Sequence, residues 1–162
     1  TPLSYTAVLG DIMVDVACVS RSDVSNTIFE VESSSTANQQ SVIGVCSAFR
    51  TSKLEDGYEP TAFVQSRTPE GAVDTFTSEW NTYKDTHKLV TINALGEGQV
   101  NVTGEGGNMV SGDLISSSST LGKGMKQSDN IVRSITVAKI RETVTFSSPS
   151  EEKMVACIYL CG

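Results

Sequence analysis

One histidine, a scatter of serines and lysines, and two glycine-rich stretches are the residues of this 162-residue chain from which catalysis or ligand binding would have to be built. His87 would have to serve any Ser-His-Asp arrangement. The setting Thr86-His87-Lys88 lacks the glycines of a nucleophile elbow, so it reads as a loop histidine leading into a strand. Lys126 and Ser128 are spaced to share a strand face, and a desolvated lysine can act as base toward a serine in self-cleavage. Both lie in a polar stretch, where solvated side chains are the ordinary outcome. The one Asp-x-x-Glu, Asp56-Gly57-Tyr58-Glu59, abuts Pro60 and reads as an acidic turn. Gly104 to Gly107 and Gly122 to Gly124 have neither the Gly-Lys-Ser ending nor the strand-to-helix context of a phosphate loop. Asn101-Val102-Thr103 satisfies the glycosylation sequon, which matters only on a eukaryotic secretory route. No catalytic, cofactor-binding or metal-ligating residue is assigned, and the expected enzymatic capacity is at most a single self-cleavage.

Cys18, Cys46, Cys157 and Cys161 do not show the paired short spacings of zinc ribbons. On one extended strand the Cα atoms of Cys157 and Cys161 would stand roughly 13 Å apart, at about 3.3 Å per residue, beyond disulfide reach. Buried thiols are therefore expected, the alternative being a disulfide from either of them to Cys18 or Cys46. Tyr58, Phe63, Trp80 and Tyr83 are the residues from which a sugar- or receptor-binding platform could be assembled, although aromatics are only 6% of the chain and packing could absorb them all.

These side chains need a scaffold, and composition narrows it. The length suits one domain with a single core, residues 1–162. Twelve Lys and Arg against 19 Asp and Glu give a formal charge of -7, a field that repels phosphate backbones and anionic lipid. Nucleic acid is not an expected partner, nor is membrane insertion, because no apolar run reaches bilayer length and the first residues lack signal-peptide zones.

Short segments rich in Val, Ile, Thr and Ser, bounded by Gly, Asp and Asn, predict an all-β fold, an antiparallel sandwich or barrel-like domain. Strands are expected at residues 12–19, 27–31, 41–49, 89–95, 98–103, 108–115, 134–145 and 154–160. Gly44 within its strand marks a close backbone approach. Residues 104–108 supply a tight turn and residues 116–120 a polar connection. Residues 51–87 form a polar insertion, with a helical turn plausible over 75–84 from the spacing of Phe76, Trp80 and Tyr83. Gly10-Asp11-Ile12 and Gly112-Asp113-Leu114 echo one another. The echo reads either as two related β units or as an ordinary turn leading into a strand.

The order Val102-Thr103-Gly104-Glu105-Gly106-Gly107, Ser111-Gly112-Asp113-Leu114-Ile115, Gly122-Lys123-Gly124-Met125-Lys126 and Val137-Ala138-Lys139 resembles the carboxy-terminal domain of phage neck-appendage and tail-fibre proteins. Ser41-Val42-Ile43-Gly44-Val45 looks like an Ile-Gly-Val strand of the same family. The resemblance covers residues 8–49 and 89–160 and leaves the polar middle unmatched. It implies a structural virion protein assembling as a trimer with other virion proteins, and in some members an intramolecular chaperone that cleaves itself. The family's Asp-Tyr-Ala-Glu cluster, whose two carboxylates would serve as base and acid, does not precede the matched strands here. The expectation is a fibre, appendage or minor-capsid assembly domain located in the virion. The alternatives are a tip that binds a host surface receptor or carbohydrate, and a self-processing chaperone.

Overall fold

A computed structural model describes residues 7–21, 27–50 and 86–161. Within them the chain is all-β, as the short Val-, Ile-, Thr- and Ser-rich segments predict. Strands β1 (Ile12–Arg21), β2 (Thr27–Ser33), β3 (Val42–Arg50) and β4 (Leu89–Asn93) form an antiparallel sheet in the order β2-β1-β3-β4. Strands β5 (Leu95–Thr103), β6 (Leu114–Ser117), β7 (Gly124–Lys126), β8 (Ala138–Ile140) and β9 (Glu152–Leu160) close into a barrel in the order β5-β7-β6-β8-β9. Barrel neighbours run antiparallel except β5 and β7, which meet in parallel at Val102 and Gly124.

The two-residue period of a strand decides which face meets what. On β1 and β3, the directly paired Ile12 and Val45 turn toward the barrel and join its core of Val100, Val102, Ile115, Ala138, Ile140, Val155, Cys157 and Tyr159. Their sequence neighbours Met13 and Cys46 turn the other way, into a second cluster with Ala7 and Val31. Strand β9 shows the same rule, with Val155, Cys157 and Tyr159 inward and Met154 outward. Each fully buried Val or Ile of this kind stabilises the fold by about 1.5–3 kcal/mol relative to exposure.

Two expected strands and one expected connection need correction. Residues 108–115 do not form one strand: Met109 makes an isolated bridge to Val144, a turn follows, and β6 begins at Leu114. The supposed polar connection at 116–120 starts inside β6, where Ser116 and Ser117 are fully buried. Hydrogen bonds, not apolar contact, make those serines strand residues. Residues 134–145 shrink to β8, because Thr136 and Val144 are spent on a turn and the bridge. Strand β7 was read only as a glycine-rich segment. Its Gly124 lies so close to Ile115 that a Cβ there would stand 2.5 Å from the Ile115 Cγ2. Residues 51–85, with the helical turn, Asp56 to Glu59 and the aromatics Tyr58, Phe63, Trp80 and Tyr83, lie outside the described residues.

Candidate functional site

The echo between Gly10-Asp11 and Gly112-Asp113 is a repeated piece of local geometry. In Val8-Leu9-Gly10-Asp11 the Asp11 amide donates to the Val8 carbonyl at 3.1 Å, and the Val8 amide donates to Asp11 Oδ2 at 3.0 Å. In Val110-Ser111-Gly112-Asp113 the corresponding bonds measure 3.1 and 2.9 Å. Each turn holds its glycine at positive φ, +90° and +102°, a region open to Gly at no steric cost. Each aspartate then delivers the chain into a strand, β1 or β6. The turn-into-strand reading therefore accounts for the echo.

Both aspartates meet lysines of one short segment, residues 122–126, in very different surroundings. Lys126 Nζ lies 3.0 Å from Asp113 Oδ2, with side chains 36% and 21% exposed. Burial pushes the Asp113 carboxyl up, but the Val110 N–H bond and the hydrogen bond and charge of Lys126 outweigh it and hold the group below its ordinary value. Lys123 Nζ lies 2.5 Å from Asp11 Oδ1, with side chains only 11% and 3% exposed. Asp11 Oδ1 also accepts from Asn101 Nδ2 at 3.0 Å, and Asn101 Nδ2 donates as well to the Leu9 carbonyl at 3.0 Å. Gly122 sits directly over the carboxylate, where a Cβ would stand 2.5 Å from Asp11 Cγ.

The backbone around this cluster ties sheet to barrel. Ile12 N donates to Gly122 O at 2.7 Å, Cys46 N to Asp11 O at 2.8 Å, Asn101 N to Gly10 O at 2.9 Å, and Gly122 N to Ser34 O at 2.7 Å. A second polar seam runs along β6. Ser116 Oγ donates to Asn38 Oδ1, Ser117 Oγ donates to Thr36 O, and Ser117 Oγ accepts from Gln39 N, each at 2.8 Å. The β2–β3 connection is thereby fastened to the barrel. A polar group buried without such bonds costs about 1–3 kcal/mol, so these contacts favour a single way of seating the two sheets.

Of the residues weighed from sequence, His87 lies 3.3 Å from the Glu30 carboxylate and 2.8 Å from the Thr86 hydroxyl. Lys126 turns to Asp113, while Ser128 is exposed, and the suggested dyad is not brought together. Gly104–Gly106 is a 3-10 turn whose Glu105 carboxylate accepts from the Ser119 amide and hydroxyl at 2.9 and 2.7 Å. Asn101 of the sequon spends its amide nitrogen on Leu9 and Asp11. An open groove of about 520 Å³ is lined by Glu97, Gly98, Gln99, Arg141, Ala156 and Cys157, and the Glu97–Arg141 ion pair lies at its edge. Among the described residues no group of three His, Cys, Asp or Glu side chains could hold a metal ion, and no helix is long and apolar enough to cross a membrane.

Cys46 and Cys157 are buried thiols and Cys161 is half-buried. Burial pushes Cys157 up to about 12 and Cys161 up to about 11. The thiolate is the nucleophile, so Cys157 in the native chain is expected to resist iodoacetamide at pH 8 over times that fully label the chain in guanidinium. Peptide mass mapping after a timed quench checks this. Labelling at equal rates in both conditions would mean the barrel opens readily.

A scan against protein-family models finds no match, and neither the curated proteins nor the solved structures yield one.

Proposed function

We propose that this chain is a structural assembly domain of a virus particle, of fibre, appendage or minor-capsid type, that works as a trimer. The observation that carries the reading is the apolar side chains that the four-stranded sheet leaves in the open. Met13, Val31 and Cys46 are buried within the single chain, but Phe29 on β2 and Val16 on β1 stand nearly half exposed. A neighbouring subunit is one cover for such side chains that also shelters edge strands. The resemblance of the barrel segments to fibre carboxy-terminal domains supports the same reading. The segments that carry it fall at the end of β5 and its turn, the turn into β6, β7, and the start of β8.

Placing a charge among those side chains tests the proposal. Phe29→Lys is expected to shift the assembled mass toward that of one chain, while circular dichroism retains the strand signal. An unchanged assembled mass would remove this surface as the subunit contact.

A further inference from the structure

We propose that Lys123 and Asn101 become joined by an amide bond between their side chains, formed by the chain itself with Asp11 as the proton carrier. The inference is independent of the virion reading. It rests on three side chains brought together from distant points of the sequence. Lys123 Nζ and Asn101 Nδ2 both donate to one oxygen, Asp11 Oδ1, at 2.5 and 3.0 Å, so an amine and a carboxamide stand side by side across a shared base. The opposite oxygen of Asp11 is held by the Val8 amide, and Gly122 lies against the carboxylate, which keeps the base from swinging away. The lysine is almost wholly withdrawn from water. Groups held on one shared oxygen in this way react as if at very high local concentration.

The step balances without an outside reagent. Asp11 takes a proton from the Lys123 ammonium, and the freed Nζ lone pair attacks Asn101 Cγ. The new C–N bond forms as the bond from Cγ to Nδ2 breaks. Two of the three ammonium protons pass by way of Asp11 to Nδ2, which leaves as ammonium, and Asp11 returns to its carboxylate form. The Asp113–Lys126 pair provides an internal contrast. It has the same turn and the same ion pair, but the hydrogen bonds to the Asp113 carboxylate come from Val110 and Lys126, with no carboxamide among them, and it is open to solvent.

The bond would brace β5 against the turn that precedes β7, beside the point where β1 enters the junction. It would hold these two parts of the barrel together under load.

Intact mass of the reduced 162-residue chain is the test. The expected value is about 17 Da below the mass of the sequence, the loss of one ammonia. Digestion should yield one branched peptide joining Lys123 to Asn101. Asp11→Asn and Asn101→Ser are each expected to restore the full mass calculated for the variant. A native chain of full sequence mass, with Lys123 and Asn101 recovered in separate linear peptides, would overturn the proposal without reference to any variant. A loss of about 18 Da mapped to Lys123 and Asp11 would overturn the choice of Asn101.

Discussion

Measured against the ion-paired chain before any side-chain amide forms, Lys123→Met is expected to lower the unfolding free energy by about 3 kcal/mol, and Lys126→Met by less than about 1 kcal/mol, although both lysines serve the same kind of Gly-Asp turn. Burial makes the difference. Removing Lys123 leaves the Asp11 carboxylate, 3% exposed, without its counter-charge, and breaking a buried pair costs about 3–5 kcal/mol. The lower end applies because the Val8 and Asn101 N–H groups still bond to it. Removing Lys126 leaves Asp113 with water at hand. For a chain of this size the Lys123 loss corresponds to a fall in Tm of roughly 6–12 °C. Denaturant unfolding of both variants checks the contrast. Equal losses would mean that the Asp11 junction is no more closed to solvent than the Asp113 turn.

Gly44→Ala is the second substitution with a large expected effect, about 3 kcal/mol, from strain and overpacking together. Gly44 has φ +148°, and a Cβ on it would stand 2.5 Å from the Asn93 carbonyl oxygen and 2.6 Å from the Ile92 Cγ2. The nearest of those atoms is backbone, so relief requires β3 and β4 to part. Gly96→Ala is the control. Gly96 also has a positive φ, +101°, but a Cβ there meets nothing within 4 Å, so only the backbone term of about 1 kcal/mol remains. If the two variants lose equal stability, the close approach of β4 to Gly44 does not matter energetically.

The sequence made some of this legible. Residues 12–19, 41–49 and 154–160 are short apolar runs rich in Val and Ile, enough to show as strands, and Gly44 within such a run marked the backbone approach now seen at Asn93. Strand β6 was half hidden, because an apolar pattern cannot reveal Ser116 and Ser117, which are buried by hydrogen bonds to Asn38, Thr36 and Gln39. Strand β7 is three residues long, below any usable period. Asp11 was visible only as half of a local echo. Its partner Lys123 lies 112 positions away, and nothing in either neighbourhood announces the other. What marks them in hindsight is glycine: Gly10 at the turn and Gly122 against the carboxylate are the small residues that a close junction requires. The groups weighed for chemistry in the sequence were those of local motifs, whereas the one buried charged cluster in the described residues is assembled by the fold.

The most direct measurement is the mass of the purified native chain in solution by light scattering, at micromolar concentration and moderate salt. The assembly reading predicts three times the 17.2 kDa of the single chain, unchanged on modest dilution. A particle with the mass of one chain would contradict it.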